Sequence, residues 1–160
     1  WQTFTDETFE ARGQQARDAY QALRPGESAR DLMSAVSTDT GFRQPAQRLC
    51  ENRATSGTPT WMYWFTWPTP AFGGAVGCCH ALDIPFAFDN LDAEGVLMMT
   101  GNGEERPQIA DRFSSEIVSF ATHGHPSWSQ FNTDSRPTLV IDVETHLIHD
   151  PEPEIRVLFA

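Results

Sequence analysis

Apolar residues in the first third of the chain are sparse and helically spaced, whereas further along they gather into short dense blocks. Residues 6–23 (DETFEARGQQARDAYQAL) are polar and rich in Ala and Gln, which predicts an exposed helix with contacts at Phe9, Ala16, Tyr20 and Leu23. Arg24-Pro25-Gly26 breaks it. A second helix starts at Glu27 or Ser28, buries Leu32, Met33 and Val36, and ends near Ser37-Thr38. Asp39 is expected to N-cap a third, with apolar positions Phe42, Ala46, Leu49 and Cys50 and with Pro45 in an early turn or at a bend.

The chain then turns from helix to sheet. After the loop TSGTP (residues 55–59), the run TWMYWFTW (60–67) reads as a strand buried on at least one face. A glycine-rich loop (68–77) leads into a dense apolar segment (78–88), and the acidic stretch 89–105 reads as mobile. Pro107 suits the first turn of a longer helix through Ile109, Phe113, Ile117, Phe120 and Ala121, which Gly124 and Pro126 end. TLVID (138–142) and THLIHD (145–150) read as a β-hairpin, and residues 155–159 as a last apolar strand or helical turn. No internal repeat or low-complexity segment interrupts this order.

Length and charge narrow the classes. With 160 residues the chain fits one ordinary domain. No apolar run approaches the roughly 18 residues of a membrane span. Eleven basic residues, all Arg, stand against 22 acidic ones for a net charge of −11, the wrong balance for a phosphate-backbone binder. Cys50, Cys78 and Cys79 form no disulfide framework and lack zinc or redox spacing, so they read as reduced, buried thiols, and this leans toward a cytoplasmic setting. The first residue is Trp1 and no basic-then-apolar leader follows it, which suggests a fragment or a processed piece.

Of five histidines, His80 stands out, because the glycines of GGAVGCCH let the backbone bring an imidazole to a sheet end, where the base of a catalytic triad sits. A satisfied structural histidine is the competing reading. His123-Gly124-His125 and His146 with His149 lack the three or four converging ligands of a zinc site, and the odd separation of the latter pair sends them to opposite strand faces. No metal or other cofactor is expected. Gly26-Glu27-Ser28-Ala29-Arg30 imitates the Gly-x-Ser-x-Gly nucleophile elbow, but Arg30 replaces the second Gly and no apolar strand precedes it. Ser28 is expected at a helix N-terminus instead.

The run from Trp61 to Phe88, TWMYWFTW and then HALDIPFAF after a glycine-rich loop, resembles the C-terminal part of the type-B carboxylesterases, the family of para-nitrobenzyl esterases and cholinesterases. There a Tyr-x-Phe strand precedes His-x-x-Glu-(Ile/Leu)-Pro-(Phe/Tyr)-x-Phe, and here Asp83 stands in place of the Glu. Residues 39–45 (DTGFRQP) resemble the family's helix beside the active-site gorge, and residues 120–126 (FATHGHP) its Phe-Ala-x-x-Gly-x-Pro helix end. Trp128 and Phe131 match a Trp-Pro-x-Tyr element with Ser129 in the place of Pro, and residues 138–150 resemble the closing hairpin.

The resemblance implies the C-terminal part of an α/β-hydrolase fold: residues 1–55 a helical region beside the active site, 56–160 the sheet, His loop, packing helix and hairpin of the same domain. It implies that His80 is the general base of a Ser–Glu–His triad whose Ser, Glu and oxyanion loop lie upstream, so the expected partners are the N-terminal remainder of the domain and a small neutral ester. Asp83 is expected to stiffen the His80 loop by hydrogen bonding. Phe42 is a candidate for the substrate pocket, with core packing as the competing role. The resemblance also implies that the chain alone is inactive toward esters, and that an apolar face and sheet edge are left for the rest to cover. A non-catalytic adhesion or binding module is the alternative function.

Overall fold

Short polar helices and three brief strands make up residues 1–160, all of which the computed structural model describes. In chain order the helices are α1 (Gln2–Phe9), α2 (Gly13–Leu23), α3 (Ala29–Thr38), α4 (Gln44–Thr55), α5 (Ile84–Ala87), α6 (Val96–Thr100), α7 (Arg106–His123) and α8 (Pro153–Arg156). The strands are β1 (Met62–Phe65), β2 (Pro137–Ile141) and β3 (His146–His149). They divide between two compact units, one of residues 1–60, 132–136 and 150–160, the other of 61–131 and 137–149.

The first unit is helical. The helix expected over residues 6–23 is split into α1 and α2 by a 3₁₀ turn, Glu10–Arg12, in which Glu10 has φ 51°. Gly13 permits the fold-back: a Cβ there would lie 3.0 Å from the Asp6 Cα, so any larger residue would push the two helices apart. The core joins Phe9, Ala16, Tyr20, Leu32 and Val36 with Ile155 and Leu158, which come from α8 and the 3₁₀ turn after it, the helical one of the two expected forms. Leu23, expected as a contact, is 39% exposed.

Ser28 caps α3 as expected: its backbone is extended and its Oγ accepts from the Asp31 amide at 3.3 Å, which is helix-start chemistry rather than a nucleophile elbow. Asp39 caps nothing. The helix runs on through a π-helical turn, Asp39–Arg43, into α4, and this wider turn comes directly before Pro45, which has no amide N–H to give to a regular helical bond. Asp39 is buried because it is spoken for, accepting the Tyr20 hydroxyl at 2.6 Å and pairing with Arg43. Arg43 and Arg24 in turn both reach Glu152. The apolar face expected on this helix is outward, with Phe42 66% and Leu49 60% exposed, and its buried positions are Gln44 and Gln47.

The second unit is a three-stranded sheet packed by helices. β1 pairs in parallel with β2 (Met62 opposite Thr138, Phe65 opposite Ile141), and β2 runs antiparallel to β3 (Pro137 opposite His149), the expected hairpin. All five residues of the central β2 are buried, as a continuous apolar run in a covered middle strand requires. The core is Trp67, Leu82, Phe86, Ile109, Ala110, Phe113, Leu139 and Ile141. Helix α7 buries Ile109, Ala110, Phe113 and Glu116, whereas Ile117 and Phe120 of its expected apolar stripe are 37% and 51% exposed. It ends at Gly124, φ 78°, in the left-handed form that glycine permits.

The stretch 89–105, expected to be mobile, contains α6 and is tied in place. Thr69 Oγ1 donates to the Met99 carbonyl at 2.8 Å, and the Trp67 indole N–H donates to Glu105 Oε1 at 2.9 Å. Acidic residues and glycines concealed these anchors, because both partners lie some thirty or more residues upstream.

Candidate active site

The loop that follows β1 leaves its carboxyl end, the edge at which open α/β sheets place their ligands. Thr66, the next residue, continues the sheet bonding by donating its amide to Ile141 O at 3.0 Å, and its Oγ1 donates to Asp142 Oδ2 at 2.6 Å. Asp142 thus closes the ends of both parallel strands. The loop then turns through Ala71–Gly74 and returns, with the Thr69 amide bonded to the Gly77 carbonyl at 3.2 Å.

His80 sits in the tight turn that follows and is exposed as a residue. The turn is closed by Leu82 N to Cys79 O at 3.2 Å and Ile84 N to Ala81 O at 3.2 Å. Ala81, directly after the histidine, has φ 64°, a left-handed conformation that costs an ordinary L-residue energy and that the surroundings must enforce. Leu82, wholly buried, and Pro85 and Phe86 of α5 fasten the turn to the core. His80 is therefore carried on a backbone held on both sides.

Two side-chain bonds bracket it. Cys78 Sγ donates to the Phe65 carbonyl at 3.0 Å, and the Tyr63 hydroxyl donates to Asp83 Oδ2 at 3.0 Å. Both lead back to β1, so residues before and after His80 are moored to one strand. The cost shows in the donors' acidities: burial first, then the Asp83 charge and hydrogen bond, push the Tyr63 phenol up to about 12. Burial first, then the charges of Cys79, Asp83 and Asp142, push the Cys78 thiol up to about 11.

Sequence reasoning singled out His80 and Asp83, and the structure puts them in one turn; Phe42 belongs to the helical unit, exposed on the π-helical turn. It missed Tyr63 as Asp83's partner and Asp142 as the strand-end carboxylate. Alternation along MYWF marks which residues share a face but not what a hydroxyl reaches twenty positions away, whereas an Asp ending the apolar run TLVID was a visible strand-end signal. Cys78, expected to be buried, is exposed as a residue while its sulfur faces the Phe65 carbonyl. No group of three or more His, Cys, Asp and Glu side chains is placed to hold a metal ion, and His123 and His125 have ring centres 6.1 Å apart.

Solved structures share this arrangement of helices and mixed sheet. A carboxylesterase of Geobacillus stearothermophilus superposes with a TM-score of 0.79 at 26% identity, over 92% of this chain and 32% of its own length. A para-nitrobenzyl esterase structure gives 0.75 at 28% identity, over 100% of this chain and 33% of that one. The architecture is thus a portion of an α/β-hydrolase of the carboxylesterase type. Among characterised proteins, the para-nitrobenzyl esterase of Bacillus subtilis (strain 168) is 32% identical over 128 residues, 76% of this chain and 25% of that protein. The fumonisin B1 esterase of Sphingopyxis macrogoltabida is 33% identical over 116 residues, 68% of this chain and 21% of that protein. The family model for the carboxylesterase family matches residues 2–155, and the chain belongs to that family. It spans about a quarter of the length of these relatives.

Proposed function

We propose that this chain supplies the general base, His80, of an enzyme that hydrolyses carboxylic esters through an acyl-enzyme. The observation that carries the reading is a histidine, exposed as a residue, on a strained, doubly moored turn beyond the carboxyl end of a parallel strand, in a member of the carboxylesterase family. His80 Nε2 takes the proton of a serine hydroxyl as it attacks the ester carbonyl, returns it to the leaving alcohol, and repeats both steps with water. The serine, and the carboxylate that orients the other imidazole nitrogen, come from the portion of the hydrolase domain that the relatives have and this chain does not span.

Asp83 is a positioning residue in this scheme. Held by Tyr63, it fixes the turn that aims His80, and its carboxylate takes no proton from substrate. Neutral, moderately apolar esters are the substrates that the hydrophobic gorge of this family implies, and no metal or other cofactor takes part in the scheme. The 160-residue chain alone is expected to be inactive, because a base without its nucleophile accelerates little.

Fluorophosphonate labelling with intact-mass readout tests the reading. In the full-length protein one serine outside residues 1–160 takes the label, and His80→Ala abolishes the labelling while the protein stays folded. Labelling of Ser28, or undiminished labelling of the His80→Ala protein, overturns it, and a folded full-length protein with no label at all is the mark of a binding module.

A further inference from the structure

Two thiols stand side by side immediately before His80, and the scheme above uses neither of them for chemistry. Cys78 and Cys79 are both free. Cys78 is exposed and spends its S–H on the Phe65 carbonyl, and Cys79 is half-buried, packed against the cluster of Trp67, Leu82 and Phe86. They lie in neither helix nor strand, and Cys79 has two backbone bonds, its amide to the Gly77 carbonyl at 3.1 Å and its carbonyl from the Leu82 amide at 3.2 Å, the latter closing the turn that carries His80.

Adjacent residues do not bridge easily by themselves. Their Cα atoms are about 3.8 Å apart across a trans peptide, below the roughly 4.4–6.8 Å that disulfides span. An atom interposed between the sulfurs removes that misfit, and soft thiophilic centres prefer two thiolates to any other ligand a protein offers. No carboxylate or imidazole completes a three-residue metal site around the pair, which favours a centre satisfied by two protein ligands over a zinc-like ion.

We propose that Cys78 and Cys79 form a dithiol site for a trivalent organoarsenical, and that filling it displaces the turn that carries His80. With phenylarsine oxide, two As–S bonds form while two S–H bonds and the arsenic–oxygen bond break. The oxygen leaves as water with both thiol protons, and arsenic stays trivalent, so no oxidant or reductant is needed. Bridging consumes the Cys78 donor that moors the segment to Phe65, and it draws Cys79 off the apolar cluster. Both changes act on the residues directly ahead of His80. The raised pKa of Cys78, about 11, leaves little thiolate at neutral pH and makes it a slow nucleophile, so a single thiol there is a poor target and selectivity rests on the pair. Uptake of arsenic is independent of the function proposed for His80; only a resulting loss of ester hydrolysis rests on it.

The test uses the full-length protein with one equivalent of phenylarsine oxide, read by intact mass under non-denaturing conditions and by the His80 imidazole proton resonance. The expected result is one phenylarsenic unit per chain less two hydrogens, stable to excess glutathione and removed by 2,3-dimercaptopropanol. Cys78→Ser, Cys79→Ser and the better-packing Cys79→Ala each abolish it, and Cys50→Ser does not. The His80 resonance, assigned by His80→Gln, moves on binding while that of His149 stays. Arsenic uptake by the Cys78→Ser chain, loss of the adduct to glutathione, or an unmoved His80 resonance overturns the proposal. Hydrolysis that survives His80→Ala in the full-length protein defeats the catalytic reading and leaves the dithiol site standing.

Discussion

Replacing Tyr20 by Phe removes one oxygen and keeps the ring that packs 6.3 Å from Trp1 and 6.4 Å from Phe9. That oxygen donates to Asp39 Oδ2 at 2.6 Å, and the two residues are 0% and 2% exposed, so water cannot replace it. A hydrogen bond to a charged group contributes about 1.5–3 kcal/mol. Asp39 retains Arg43 on its other oxygen, which places the expected loss near the middle of that range, about 2 kcal/mol at pH 7. The pH dependence gives a second handle. Burial raises the Asp39 carboxyl against the opposing pull of Arg43 and Tyr20, and deleting the Tyr20 donor raises it further. A folded value above the unfolded one means a contribution to stability that is present in acid and fades as pH rises through the folded value. The variant's folded value is the higher, so the stability gap between the two proteins is small in acid and widens toward neutral pH. Urea unfolding followed by far-UV circular dichroism at pH 4.5 and pH 7 measures both. A gap under about 0.5 kcal/mol at pH 7, or one that is larger in acid, refutes the reasoning.

Three further outcomes follow from the second unit. Leu82→Ala empties a fully buried site beneath the His80 turn and is expected to cost about 2–5 kcal/mol in the same unfolding assay. Glu116, 2% exposed, accepts the Ser127 amide at 2.7 Å, the Ser127 hydroxyl at 2.5 Å and the Arg112 guanidinium at 2.8 Å. Glu116→Gln turns one acceptor into a donor facing donors, but half-exposed Arg112 can turn to water, so about 1–2 kcal/mol is expected. Tyr63, with its phenol raised to about 12, makes the folded state bind a proton that the unfolded chain releases first, so part of the stability falls between about pH 10 and 12 and Tyr63→Phe lacks that part.

How far the sequence could be read depended on whether partners were near in the chain. Helix α3 was legible because Ser28 and Asp31 write its start within one turn, and α7 because Pro107 and Gly124 mark both ends. The hairpin was legible because β2 and β3 are consecutive and antiparallel. Asp39 misled because a capping residue and a buried ion-pair acceptor look alike until Tyr20, nineteen residues back, is placed against it. Likewise Phe42 and Leu49 carry the period of a core face, yet Gln44 and Gln47 take the buried positions of that helix. Within the candidate site, His80 was visible from its glycine-rich approach, whereas its moorings at Tyr63 and Phe65 depend on a three-dimensional return of the loop to β1.

The central claim is that His80 moves the proton in ester hydrolysis, and the most direct measurement is kcat/KM of the full-length protein on a para-nitrophenyl ester, with and without His80→Ala. Loss of a triad base predicts a fall of about 10⁴-fold or more with the fold unchanged by circular dichroism. A variant that retains the parent's turnover within about tenfold contradicts the account.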